Sequence, residues 1–90
     1  MYYIVGDIGN TSTRICIINK RSKIVKSFIF ETKEVFKRGY LKKILNKLLK
    51  VNSRKEILFS SVVPLAYKKI KNEFNKKNYK ILEIKSLNIK

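Results

Sequence analysis

The period of the hydrophobic pattern changes along this 90-residue chain, and that change constrains the fold more than any other feature. In the first third, short apolar or alternating stretches have the two-residue period of β-strands. Apolar residues then recur at helical spacing with lysines between them, which predicts an amphipathic helix over 33–51. Thr32 is placed to cap that helix, and Gly39 inside it should weaken it by roughly 1 kcal/mol relative to Ala. The three predicted strands span 2–8, 12–19 and 23–30.

The second half of the chain repeats the change from strand to helix. The apolar run "EILFSSVV" at 56–63 is typical of a strand covered on both faces. Pro64 suits the first turn of a helix, which predicts a helix over 64–77 and a fifth strand over 79–84. Short links favour an antiparallel meander for the first three strands, and the crossovers favour parallel pairing for the others. We therefore expect one α/β domain over 1–90, with a mixed five-stranded sheet in the order β-β-β-α-β-α-β.

The net charge of +16 arises from 22 basic and 6 acidic residues. One interpretation is nucleic-acid binding, because clustered Lys and Arg release counterions from a phosphate backbone. The other is the compositional drift of an AT-rich genome, since Lys, Ile and Asn make up 39 of the 90 residues. Only 4 basic residues are Arg, the residue that makes bidentate contacts to bases, and the lysines scatter along the whole chain. Drift is the favoured interpretation, and nucleic acid is not expected as a partner.

Composition also bounds the compartment and the metal chemistry. Cys16 is the only cysteine, so we expect a small core residue in a reducing cytoplasm rather than half of a disulfide. The absence of histidine excludes the usual zinc sites. The opening "MYYIVGDIGN" lacks the basic start and the cleavage site of a secretory leader. No apolar run is long enough to cross a bilayer, so a cytoplasmic protein without a membrane partner is expected.

The stretch "GDIGNTSTR" at 6–14 carries the residue types of a phosphate-binding loop. Gly9 allows the backbone to approach a ligand closely, and the N–H groups of a turn can form a concave anion site. The amide and hydroxyl side chains that follow add neutral donors, and Asp7 at the end of a strand could hold Mg²⁺. An ordinary hairpin accounts for the same residues, because Gly-Asn is a common turn signal. On this stretch alone the hairpin is the favoured interpretation.

Two motifs together resemble those of type III pantothenate kinases. "DIGNT" at Asp7–Thr11 is similar to the first phosphate-binding motif of that family, which follows an early hydrophobic strand. "SSVVP" at Ser60–Pro64 is similar to a string that the family carries at about this distance. The tail "IKSLNIK" at 84–90 resembles the link into the family's second conserved region. The resemblance therefore covers nearly the whole chain.

The resemblance implies a kinase that transfers the γ-phosphate of ATP to pantothenate, the first step of coenzyme A biosynthesis. It implies an RNase H-like half domain of the superfamily that contains sugar kinases, actin and heat-shock chaperones. It also implies a homodimer in the cytoplasm that uses Mg²⁺ together with a monovalent cation, K⁺ or NH₄⁺.

Residue roles follow from the same resemblance. Asp7 would position Mg²⁺, and Gly9 would make the close turn. Asn10, Thr11 and Thr13 would face phosphate oxygens. In "SSVVP" we expect a buried strand that leads into a helix, with a direct ligand role for Ser60 or Ser61 as the lesser alternative. The full set of nucleotide-binding residues carried over is Asp7, Ile8, Gly9, Asn10, Thr11, Ser12, Thr13 and Arg14.

The chain also departs from the family pattern. Gly6 stands where the family usually has an aliphatic residue, which should soften the first strand. The Gly-Ala-Asp-Arg motif, which holds pantothenate and supplies the catalytic aspartate, and a later Gly-Thr-rich motif do not occur here. We therefore expect the N-terminal half of a two-domain kinase, with no catalytic residue of its own, inactive alone, and with an exposed apolar docking surface. Two other classes stay open, a small basic nucleic-acid binder and a non-catalytic remnant.

Overall fold

Five strands form one mixed sheet in the computed structural model, which describes residues 1–84 of the chain. The strand order is β3-β2-β1-β4-β5. β2 pairs antiparallel with both β1 and β3, whereas β4 pairs parallel with both β1 and β5. The predicted α/β class and mixed sheet are confirmed. The elements are β1 (Tyr3–Ile8), β2 (Ser12–Ile18), β3 (Ile24–Glu31), a 3₁₀ helix (Thr32–Phe36), α1 (Tyr40–Leu48), β4 (Glu56–Ser61), α2 (Pro64–Asn75) and β5 (Lys80–Glu83). The predicted link at the tail lies outside the described residues, apart from Ile84.

The single helix predicted over 33–51 is wrong. A 3₁₀ helix ends at Phe36, and α1 begins only at Tyr40. Gly39 has a φ of 79°, a left-handed conformation that costs most L-residues energy but suits glycine, and it occupies the N-cap position of α1. Thr32 is not a helix cap, because its buried hydroxyl hydrogen-bonds elsewhere. Glycine therefore redirects the chain between two helices instead of weakening one.

The hydrophobic core lies between one face of the sheet and the helices. Alternate residues of each strand point into it, as the pleat requires, so that Ile57 and Phe59 are fully buried. Leu58 between them lies on the other face and is 41% exposed. The expectation that 56–63 forms a strand covered on both faces is therefore wrong for the described residues, and β4 itself ends at Ser61.

Gly6 makes room for an aromatic ring in this core. The Phe59 ring lies directly over the Gly6 backbone, and any Cβ added there would overlap the ring atoms. Phe59 in turn packs edge-to-face against Phe74 of α2, with the ring centroids 5.9 Å apart. The Phe59 ring of β4 thus fills the space that Gly6 of β1 leaves open. Gly6, expected only to soften the strand, has a packing role.

We predict that Gly6→Val lowers the free energy of unfolding by about 1–3 kcal/mol, because the added carbons overpack a filled core. Urea denaturation of the wild type, both single variants and Gly6→Val/Phe59→Leu would measure the coupling between the two sites. The double variant should be more stable than the sum of the single effects, since leucine vacates the space above residue 6. Additive effects would show that the ring is not what excludes a side chain at this position.

The face of the sheet opposite the helices carries apolar side chains that the described residues leave accessible. We call this surface the open face. The pleat brings Leu58 beside Val5 on β1 and beside Leu82 on β5. Exposed apolar side chains on it are Tyr3, Ile29, Leu58 and Leu82. Exposed apolar side chains on one face agree with the expected apolar surface and are typical of an interface.

We predict that the isolated 90-residue chain self-associates through the open face as its concentration rises, because association buries this apolar area. Sedimentation velocity would show a shift toward the monomer for Leu58→Ser/Leu82→Ser. The matched control Val62→Ser/Leu65→Ser removes apolar side chains exposed elsewhere and should leave the association unchanged. A wild-type chain that stays monomeric throughout contradicts the prediction.

Candidate functional site

The site begins at the hairpin that joins β1 to β2. Ile8 pairs with Thr13, and the Gly9 N–H donates to the Ser12 carbonyl at 2.9 Å. A Cβ on Gly9 would lie only 3.0 Å from that carbonyl oxygen, so the tight turn favours glycine. The hairpin interpretation of the sequence is correct as geometry. It does not exclude ligand binding, because the turn leaves part of its backbone unused.

Thr32 holds this turn from the helix side. Its hydroxyl donates to the Gly9 carbonyl at 2.7 Å, and its backbone N–H donates to the Thr11 carbonyl at 2.9 Å. The Thr13 hydroxyl lies 2.9 Å from the Thr32 hydroxyl. Because the single hydroxyl proton of Thr32 goes to Gly9, Thr13 must be the donor in that second bond. Thr32 therefore fixes both carbonyls that flank the tip of the loop.

The orientation of those carbonyls sets the direction of the loop's N–H groups. In a trans peptide the N–H points opposite to the C=O, and the described residues contain no cis peptide. The Gly9 carbonyl faces Thr32, so the Asn10 N–H points away from it. No hydrogen bond among the described residues uses the backbone N–H of Asn10 or Thr11. The turn therefore offers an outward-facing N–H at Asn10 and a second N–H, at Thr11, that no described residue uses. Unused backbone N–H groups of this kind are the feature that anion-binding turns share.

Asp7 lies beside this loop at the carboxyl end of β1. The parallel register of β1 and β4 places Ser60 opposite Asp7, and the Ser60 hydroxyl donates to Asp7 Oδ1 at 2.8 Å. Asp7 is exposed, and among the described residues no basic group lies within ion-pair distance of its carboxylate. One oxygen is thus oriented by Ser60, while Oδ2 has no hydrogen-bond partner within residues 1–84.

A shallow cavity of about 210 Å³ lies on the open face next to this carboxylate. Asp7, Arg14 and Cys16 contribute to its lining. Arg14 pairs with Asp7 in the register of β1 and β2, so a guanidinium and a carboxylate share this surface. Cys16 is buried as expected, yet it lies on this side of the sheet and not within the main core.

The second sequence motif ends β4 and begins α2. The Ser61 hydroxyl lies 3.0 Å from the Val63 N–H and 3.1 Å from the Val63 carbonyl, so it closes the turn that precedes Pro64. The Val62 N–H donates to the Ile8 carbonyl at 3.0 Å and ties this turn to the end of β1. The motif therefore leads from a strand into a helix, as expected, and its first serine reaches Asp7.

Two of the predicted site residues point into the protein. The Ile8 side chain is 1% exposed, so only its backbone can reach a ligand. Thr13 is fully buried with its hydroxyl bound to Thr32, and this position does not fit the expected contact with a phosphate oxygen. The remaining predicted residues are exposed or half-buried along the loop and its flanking strands: Asp7, Gly9, Asn10, Thr11, Ser12 and Arg14. Sequence reasoning missed Thr32, because a threonine that follows a strand and precedes a helical pattern is typical of an N-cap.

The comparison with known proteins assigns the chain to a family. The sequence profile of type III pantothenate kinases matches residues 3–90. The chain belongs to that family. It is also 44% identical over 88 residues to a type III pantothenate kinase of Pelagibacter ubique (strain HTCC1062). That alignment covers 96% of the chain and 35% of the relative, so the chain spans about a third of the length of this curated protein.

Family membership agrees with the fold described above. The mixed five-stranded sheet with two helices is the half domain of an actin-like ATPase, as the resemblance implies. The candidate loop is the hairpin that opens this half domain.

The clamp by Thr32 predicts a measurable effect on the loop. Thr32→Val removes the donor to Gly9 and leaves the buried Thr13 hydroxyl without its acceptor, so the free energy of unfolding should fall by about 1–3 kcal/mol. Hydrogen exchange of the Gly9 amide should accelerate beyond what the global destabilisation explains. Thr32→Ser keeps the hydroxyl and is the control that should retain slow exchange. Equal exchange rates in the valine and serine variants would contradict the clamp.

Proposed function

We propose that this chain supplies the phosphate-binding loop of a type III pantothenate kinase, an enzyme that transfers the γ-phosphate of ATP to pantothenate. The observation that carries the proposal is a turn with an outward-facing Asn10 N–H and an unbonded Thr11 N–H, next to the Asp7 carboxylate that Ser60 orients. Phosphoryl transfer depends on donors that hold phosphate oxygens and on charge that offsets them. Membership of the family supports the same assignment.

The residues present fit a nucleotide with its divalent ion. Asp7 would be the protein ligand of Mg²⁺, a cation that prefers carboxylate oxygens and keeps several waters or phosphate oxygens around it. No cluster of three acidic, cysteine or histidine side chains occurs within residues 1–84, which suits a metal held jointly by one carboxylate and the substrate. When bound, Mg²⁺ neutralises charge on the phosphates. A monovalent cation, K⁺ or NH₄⁺, is proposed from the family resemblance alone.

Each loop residue has a defined task in this proposal. The backbone N–H groups of Asn10 and Thr11 donate to phosphate oxygens, and the exposed Ser12 hydroxyl adds a donor nearby. Arg14 adds positive charge on the open face, where its guanidinium can pair with a phosphate. Thr13 and Thr32 act on the loop's shape instead of touching the ligand, while Ile8 and Gly9 contribute backbone.

Binding of pantothenate and activation of its hydroxyl are assigned in this proposal to the part of the enzyme that corresponds to the rest of the Pelagibacter ubique relative, of which this chain covers 35%. No base for the pantothenate hydroxyl is evident in this chain, so we propose that it provides one half of a two-domain kinase and is inactive alone. A homodimer and a cytoplasmic location are proposed on the family resemblance. Among residues 1–84, no helix is long and apolar enough to span a bilayer.

Nucleotide binding by the chain itself tests the site directly. We predict weak Mg-ATP binding, seen in amide NMR titrations as shifts centred on residues 9–12. Asp7→Asn should abolish the contribution of Mg²⁺ to the affinity, because the amide cannot replace the carboxylate as a ligand. Glu56→Gln, an exposed carboxylate on the same sheet at the start of β4, is the matched control and should change nothing. Shifts located elsewhere, or equal Mg²⁺ dependence in both variants, would contradict the assignment.

A chimera tests the proposed reaction. The chain would replace the matching segment of the Pelagibacter ubique relative, with which it shares 44% identity. The chimera should phosphorylate pantothenate, and Asp7→Asn in it should lower kcat/KM at least about a hundredfold, since metal stabilisation of transferring phosphates is worth several kcal/mol. A chimera that folds but has no activity would favour the non-catalytic remnant.

A further inference from the structure

A second concave surface lies on the helix side of the molecule, away from the phosphate loop. It is a cavity of about 460 Å³ between the junction of the 3₁₀ helix with α1 and the outer side of α2. Val35 and Leu41 are buried and form its apolar floor. Its volume falls in the range of small-molecule sites. The five basic side chains at its rim are Lys37, Arg38, Lys42, Lys69 and Lys76, and we call them the cationic rim.

The cavity exists because the predicted long helix is interrupted. Gly39 turns the chain with a φ of 79°, so Arg38 lies on the link before α1 and Lys42 lies in its first turn. Lys69 faces them from α2. Residues from two separate segments thus converge on one concavity, which a regular helix over 33–51 would not allow.

The charge of the cationic rim is only partly compensated. Lys37 pairs with Glu34 at 2.9 Å, and Lys76 pairs with Glu73 at 3.1 Å. The hydrogen bond and charge of Glu34 raise the pKa of Lys37 above its ordinary value. Arg38, Lys42 and Lys69 have no ion-pair partner among residues 1–84. Three like charges around one cavity repel one another unless an anion joins them.

The distribution of charge along the chain supports the same conclusion. Twelve of the 22 basic residues but only two of the six acidic residues fall in the segments 32–51 and 64–77, which form the helix layer. Both of those acids are already paired with lysines. Compositional drift explains why lysine is abundant, but it does not explain why an arginine and lysines from two segments meet at a cavity.

We propose that this cavity binds a small anion that carries two or more phosphate groups. Arg38 offers a fork of parallel donors that matches phosphate oxygens, and Lys42 and Lys69 add charge from opposite sides. The convergence of these side chains on one concavity favours a compact oligophosphate over a nucleic-acid backbone, which needs an extended track of basic residues. This site is separate from Asp7 and its loop, and it does not rest on the kinase assignment.

Titration of the whole 90-residue chain with inorganic tripolyphosphate at near-physiological salt tests the proposal. Calorimetry gives the affinity, and amide NMR shifts give the location. The triple variant Arg38→Ala/Lys42→Ala/Lys69→Ala should bind at least tenfold more weakly than the wild type. The control Arg21→Ala/Lys47→Ala/Lys50→Ala removes the same charge from exposed positions outside the cavity and should change the affinity less than twofold. The six side chains that the two triple variants replace are all exposed, so neither variant should disturb the core. Melting curves that match the wild type would verify that both variants are folded.

The outcomes separate the alternatives. Shifts at residues 38–42 and 69, together with loss in the first variant only, support the proposal. An equal loss of tripolyphosphate affinity in both triple variants would show general attraction of the anion to a basic protein and would overturn the proposal. Shifts confined to residues 9–12 would place the anion on the phosphate loop and also overturn it. Tight, steeply salt-dependent retention of a single-stranded oligonucleotide, without saturable tripolyphosphate binding, would replace the proposal with nucleic-acid binding.

Discussion

Two crossover connections, from β3 to β4 through α1 and from β4 to β5 through α2, pass over the same face of the sheet. The rest of the structure depends on that constraint. β4 adds beside β1 and β5 beside β4, so the two parallel connections step in the same direction. Right-handed crossovers that step in one direction must lie on one face. The helix layer therefore covers one side of the sheet and leaves the other side to carry Asp7, Arg14 and the apolar residues of the open face.

The same constraint brings the two sequence motifs together. Parallel pairing of β1 with β4 aligns their carboxyl ends, where Ser60 meets Asp7 across 53 residues of sequence. The 3₁₀ helix that begins the return path to β4 starts with Thr32, directly beneath the loop. Its hydroxyl and its N–H fix the Gly9 and Thr11 carbonyls, and the first of these bonds turns the Asn10 N–H outward. The candidate site lies at the carboxyl ends of β1 and β4, where Thr32 holds the Gly9 carbonyl on the inner side of the loop.

The sequence predicted the order of elements and failed where glycine and threonine have more than one use. The sequence pattern predicts that Gly39 weakens a helix, but the structure shows a left-handed turn at this position. The sequence predicts that Gly6 softens the first strand, whereas the structure shows that the Phe59 ring occupies the space above it. Thr13 and Asn10 are equally suited to phosphate contact by residue type. In the structure the strand pleat buries Thr13, while Asn10 on the loop is exposed. Local patterns cannot distinguish these cases, since the deciding contacts come from distant residues.

The sequence by itself determined the class of fold, the position of the loop and the family, because hydrophobic periods and short motifs are local properties of the chain. Tertiary structure alone decided which donors of the loop are free, how Asp7 is oriented and where the basic residues converge. Those features depend on hydrogen bonds and packing between residues 23 to 53 positions apart. Such contacts follow from the handedness of the crossovers and the register of the strands, which no single segment of the sequence contains.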